Sequence, residues 1–189
     1  MIEWSDYAKF FIGLLAIVNP IGIVPVFMGL TRNLNAPERN VVGLRAAITV
    51  GLVLIVALFM GEALLGFFGI SLDSFRVAGG ILILLMAISM LHGGISPAKQ
   101  TSEEAQDAED KENIAVVPLG MPLLAGPGAI STIIIYSHRS AEPLHYVLLL
   151  SIAGLLALLT WLALRAAPAI ADRLGRTGLN IVTRIMGLI

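Results

Sequence analysis

Five long, predominantly apolar runs, each close to the length of a bilayer-crossing helix, constrain this chain more than any other feature. About 20 apolar residues span the hydrocarbon core as a helix, and lipid offers no hydrogen-bond partner to an unpaired backbone group. The runs cover about residues 10–30, 46–70, 72–91, 114–136 and 144–167. A sixth opens near residue 179 and stops at Ile189, which is only about 15 Å of helix. Charged residues make up 13% of the chain, against about 25% in a soluble domain, so a water-soluble fold is excluded. The expected fold class is all-α integral membrane with a six-helix plan, the sixth helix truncated.

Other function classes fall away quickly. The chain has no cysteine, which removes disulfides, thiol nucleophiles and thiolate metal sites. A formal net charge of -1 and the absence of a basic cluster argue against nucleic acid as a partner. The N-terminus carries Glu3 and Asp6 against Lys9, so it does not read as a cleavable leader.

Basic residues set the expected orientation. With the N-terminus outside, Arg32, Arg39, Arg45, Lys99, Lys111, Arg165, Arg173 and Arg176 all fall on the inner side. Lys9, Arg76 and Arg139 are left outside, and Arg184 lies at the inner start of the last span. Residues 93–113 then form an inner linker rich in acid (Glu103, Glu104, Asp107, Glu109, Asp110, Glu112), expected to be a solvated segment.

The two sides of that linker echo each other. Asn19-Pro20-Ile21-Gly22-Ile23 in the first span matches Gly126-Pro127-Gly128-Ala129-Ile130 in the fourth. Arg76 opens the third span as Arg184 opens the sixth, at nearly the same offset. The chain therefore divides into a three-helix repeat at 1–92, the linker at 93–113, and a second, incomplete three-helix repeat at 114–189. Three is odd, so the halves would cross the membrane in opposite senses, as in many secondary transporters.

Proline marks the expected breaks. Pro20 and Pro25 fall in the first span and Pro118, Pro122 and Pro127 in the fourth, with none inside the second, third or fifth. Proline removes a donor and clashes with the preceding turn, and at membrane depth such a break is tolerated only when buried in protein or lining a wet cavity. Interrupted spans at matching places in two halves point to a midplane binding site. Free N–H groups at a half-helix start suit a carboxylate, and unwound carbonyls suit an ammonium or a cation. The candidate substrate contacts are Asn19, Pro20, Gly22, Gly126, Pro127, Gly128, Ser131 and Thr132. None carries fixed charge, which fits a small zwitterion. Simple kinking for packing is the competing explanation.

Glu62 is the one ionisable residue well inside a run, and so a candidate for proton coupling, for binding a cation, or for lying near an interface. Arg76 and Arg184 either snorkel to headgroups or pair with Glu62, Asp73 or a carboxylate. His92, His138 and His145 are expected at helix ends, at spacings that make no metal motif. No cofactor is expected beyond a coupling proton or sodium ion. Small-residue spacings at Ala57/Gly61 and Ala125/Ala129 suit packing within a chain or between copies, which leaves a homo-oligomer open.

The run from Phe11 to Gly22 resembles the opening signature of the MarC family. Residues 118–130, Phe68-Gly69-Ile70-Ser71 and Arg76-Val77-Ala78-Gly79-Gly80 strengthen the likeness, which covers essentially the whole chain and is greatest to the YchE-like branch. The resemblance implies a multi-pass bacterial inner-membrane protein with six spans, one branch of the family being classed as transporters of small neutral amino acids. A secondary transporter of such amino acids is thus the expected function, with a channel or a non-transporting assembly protein as the alternative. An enzyme is not expected, because the spans show neither paired carboxylates nor a nucleophile with a base.

Overall fold

The computed structural model describes residues 4–92 and 124–189, and these are entirely helical apart from short connections. The acidic linker and the first part of the expected fourth span lie outside the described residues. Seven helices are described: α1 (Trp4–Val18), α2 (Val24–Leu30), α3 (Ala36–Phe67), α4 (Leu72–Leu91), α5 (Pro127–Ser137), α6 (Pro143–Arg165) and α7 (Ala167–Leu188). Among them α3, α4 and α6 are long and apolar enough to cross a membrane.

The first apolar run is not one helix. It breaks after Val18, turns through residues 19–23, and restarts as α2 with Pro25 in the first turn, where a missing N–H is harmless. The second run begins ten residues earlier than hydropathy suggested, at Ala36 rather than Ala46. A capping box explains the difference. Asn35 Oδ1 accepts the Glu38 N–H at 2.9 Å, and Glu38 Oε2 accepts the Asn35 N–H at 3.2 Å, which starts the helix in polar sequence ahead of the apolar run.

The α3–α4 corner follows from Phe68-Gly69-Ile70-Ser71. Gly69 takes a left-handed φ of 67°, and the Ile70 N–H reaches back to the Leu65 carbonyl at 2.9 Å, closing α3 with the glycine-dependent Schellman pattern. Ser71 then caps α4 by accepting the Ser74 N–H at 3.1 Å.

The sixth run also differs from expectation. α7 starts at Ala167, directly after α6, and breaks at Gly175, where φ is 58°. Hydropathy missed its first segment because that stretch carries Asp172 and Arg173 and is amphipathic rather than uniformly apolar.

α3 packs chiefly on α6, and α4 on α7 and α5, with α2 against α7. Small residues permit the close approaches. A methyl on Gly51 would lie 3.1 Å from Ala157 Cβ, and one on Gly43 would lie 3.3 Å from Leu164 Cβ. The buried core runs through Leu14, Val18, Phe27, Leu54, Ile133 and Leu156, while Leu52, Phe59, Val77, Leu84 and Leu158 stay exposed along the flanks, as lipid-facing side chains do.

Candidate functional site

The break in the first run is built by Asn19. Its φ is +46°, the sole positive value at a non-glycine among the described residues, and asparagine tolerates that conformation better than most side chains. Its backbone N–H still donates to Leu15 O at 2.8 Å, so α1 is hydrogen-bonded to its last turn. Its side-chain Oδ1 then accepts the Gly22 N–H at 3.0 Å, in place of the Val18 carbonyl that a continuous helix would offer that donor. The residue is 6% exposed, flanked by the fully buried Val18 and Val24. Gly22 has no room for a side chain: a methyl there would collide with the Asn19 amide and sit 2.8 Å from Thr183 Oγ1 of α7.

The second break begins α5. Gly126 is its extended N-cap, at φ −72° and ψ 179°, Pro127 follows in the first turn, and no side chain caps the helix start. Gly128 is buried where α1 and α4 converge. A Cβ there would stand 3.0 Å from Met86 Sδ and 3.3 Å from Ile17 Cγ2. Ile17 lies two residues before Asn19, so the structure brings the two sequence motifs to neighbouring positions.

The candidate hydroxyls divide. Ser131 and Thr132 both donate to the Gly128 carbonyl, at 3.1 and 2.6 Å. Ser131 is buried against Gly79 of α4, whose hypothetical Cβ would be 2.8 Å from that of Ser131. It belongs to a helix contact. Thr132 instead lines a cavity of about 340 Å³ between α1, α4 and α5, together with Ile17, Ile83 and, at the mouth, Asp6, Lys9 and Arg139. Lys9 pairs with Asp6 at 3.7 Å across one turn.

The three charged candidates do not join the breaks. The Glu62 side chain is 78% exposed and faces His138 Nε2 at 3.4 Å. Arg76 pairs with Asp73 at 3.1 Å on the surface, and Arg184 is exposed. Among the described residues no group of three or more acidic or histidine side chains could hold a metal ion.

One histidine does more than mark a helix end. His145, in the first turn of α6, is fully buried, held between Tyr7 Oη at 2.7 Å from Nδ1 and the Tyr136 carbonyl at 3.0 Å from Nε2. A carbonyl only accepts, so Nε2 carries a proton, and in the neutral ring Nδ1 accepts from the Tyr7 hydroxyl. The clamp ties α1 to the facing ends of α5 and α6, with Phe10 stacked on Tyr136 at 4.1 Å beside it. Nothing in the spacing of residues 7, 136 and 145 announced this. Thr183 was likewise missed, because its neighbour Gly22 is distant in sequence.

Residues 4–189 match the family described as MarC family integral membrane protein. The chain belongs to that family. MarC relatives include the UPF0056 membrane protein YhcE of Escherichia coli strain K12, 46% identical over 188 residues, covering 99% of this chain and 87% of that one. The UPF0056 membrane protein BU267 of Buchnera aphidicola is 44% identical over 189 residues, covering 100% of this chain and 88% of its own. An archaeal relative, a UPF0056 membrane protein of Pyrococcus abyssi, is 37% identical over 185 residues, covering 98% and 88%. No solved structure matches the chain. The family assignment and these relatives make it a multi-pass membrane protein, and none of these relatives is named as an enzyme.

Proposed function

We propose that this MarC protein is a secondary transporter of small zwitterionic amino acids, bound where the Asn19 break meets the start of α5. The observation carrying the proposal is an interrupted helix beside an uncapped helix start inside one apolar bundle: the left-handed Asn19 turn and the Gly126-Pro127-Gly128 start of α5, brought together through Ile17 and Gly128. Interrupted helices at membrane depth are a recurrent means of binding solutes and coupling ions. The cavity reaching from Lys9, Asp6 and Arg139 to Thr132 supplies an approach. Its volume is at the low end of the roughly 300–1,000 Å³ usual for ligand pockets, which favours a small solute.

The packing supports the inverted 3+3 repeat. Under that plan α3 corresponds to α6 and α4 to α7, and each pair is in mutual contact. The plan also relates the α4–α5 contact to the one between α7 and α2, and both occur. The N-terminus outside, as the basic residues suggest, completes the proposed topology in a bacterial inner membrane.

The test is thermal stabilisation of the purified full-length protein by each amino acid, with and without sodium and at two pH values, followed by uptake into proteoliposomes. A ligand that binds only the folded state raises the melting temperature by mass action. Stabilisation and saturable uptake of glycine, alanine or serine, weakened by Thr132→Val and Asn19→Gly, is the expected result. Non-saturating flux would indicate a channel and overturn the proposal. So would the absence of both stabilisation and uptake.

A further inference from the structure

At the end of the bundle where α1 and α6 begin, two cavities meet. The upper one, about 450 Å³, is bounded by Arg139, Ser140, Glu142 and His145, with Trp4 and Tyr7 on its side. The lower one, about 290 Å³, is an almost purely apolar groove between α1 and α6, running past Ala8, Phe11, Ser151 and Leu155. Trp4, Tyr7 and Leu148 line both, so the polar chamber opens directly onto the groove. Together they have an amphiphile's shape: a charged head above an apolar trough.

The dimensions agree with one lipid leaflet. From Leu144 at the top of α6 to Leu155 in the groove, the helix descends about 16 Å, and half of a roughly 30 Å hydrocarbon core is about 15 Å. Trp4 is 74% exposed beside the chamber, the position that interfacial aromatic residues favour. The groove wall is fixed in place, because the Tyr7 hydroxyl is held by His145 at 2.7 Å.

The charges suit a zwitterionic head. Arg139 is exposed, with its guanidinium carbon 4.5 Å from the centre of the Tyr136 ring, and offers a planar fork to a phosphate. Glu142 is exposed on the same chamber and offers a carboxylate to an ammonium. An anionic head without an amine would satisfy Arg139 and be repelled by Glu142.

We propose that this seam between α1 and α6 is a selective site for a phospholipid with an amine headgroup, its phosphate on Arg139, its ammonium on Glu142 and an acyl chain in the groove. The occupant is a lipid of the leaflet facing that end of the bundle. It is distinct from the solute proposed at the helix breaks.

Native mass spectrometry of the full-length protein, delipidated in detergent and incubated with dioleoyl phosphatidylethanolamine, phosphatidylglycerol or phosphatidylcholine, tests this directly. Preferential retention of phosphatidylethanolamine is expected, reduced about tenfold or more by Arg139→Ala, since hydrogen bonds to charged groups are individually strong. Glu142→Gln should remove the preference over phosphatidylglycerol. Ser151→Trp, which fills the exposed groove away from the helix breaks, should lower retention of all three while leaving alanine-induced stabilisation as in wild type. Equal retention of the three lipids, unchanged in every variant, would mean ordinary surrounding lipid and would overturn the site. Retention of none of the three, with cross-linking between copies through cysteines introduced at Trp4 and Leu148, would assign the seam to a dimer and overturn it equally.

Discussion

Replacing Asn19 by glycine and by alanine separates the two jobs that this residue does. Its φ of +46° costs an ordinary L-residue about 1–2 kcal/mol, and glycine almost nothing. Its Oδ1 satisfies the partly buried Gly22 N–H at 3.0 Å, and leaving such a donor unpaired costs up to about 1–3 kcal/mol. Asn19→Gly loses the second contribution only, so about 1–3 kcal/mol of stability disappears. Asn19→Ala loses both, for a total of about 2–5 kcal/mol. Asn19→Asp keeps an acceptor at the same reach but introduces a carboxylate at a position 6% exposed. The assay is equilibrium unfolding of the full-length protein in one detergent, followed by tryptophan fluorescence and checked for reversibility. The decisive quantity is the gap between the alanine and glycine variants, expected at about 1–2 kcal/mol, or roughly tenfold in the folding equilibrium. Equal stabilities for the two variants would refute the left-handed turn. Wild-type stability in both would refute the contribution of the Asn19–Gly22 hydrogen bond as well.

Gly79→Ala forces a methyl to within 2.8 Å of Ser131 Cβ, so about 1–3 kcal/mol should be lost; Ser131→Gly in the same chain should recover part of it in a double-mutant unfolding cycle. Tyr7→Phe leaves His145 Nδ1 buried without its 2.7 Å partner, and denaturation should show a loss of about 1–3 kcal/mol, whereas a loss near zero would contradict the clamp. Glu62→Gln removes an exposed contact to His138 at 3.4 Å, so stability should change by less than about 1 kcal/mol; abolished proton-driven uptake in proteoliposomes would show that its surface placement has been misread.

Much of the architecture was legible because lipid leaves a chain few options. Runs of apolar residues near bilayer length must become helices, and Pro20 and Pro127 must interrupt or begin them, whatever the packing. The capping boundary at Asn35 and Glu38 was equally readable in principle, yet hydropathy overrode it and placed the helix start ten residues late. The first segment of α7 was missed for a related reason, since an amphipathic helix is invisible to a measure of mean apolarity.

The site was only half legible. Periodicity and proline placement located both breaks, because backbone chemistry is local. Partnership is not local. The sequence treated Ser131 and Thr132 alike, and only packing against Gly79 buried one and left the other lining a cavity. It left Glu62 open between proton coupling, a cation ligand and an interface position, and the tertiary arrangement sets it beside His138. It set His145 at a helix end, and the fold closes Tyr7 and Tyr136 around it. The sequence by itself determined that this chain is helical and membrane-embedded, that a helix breaks at Asn19 and that one begins after Gly126, because hydrophobic length and backbone donors depend on neighbours in the chain. Which side chains meet at those breaks, and which face lipid, was decided by tertiary structure alone, because burial and hydrogen-bond partnership depend on helices that lie far apart in sequence.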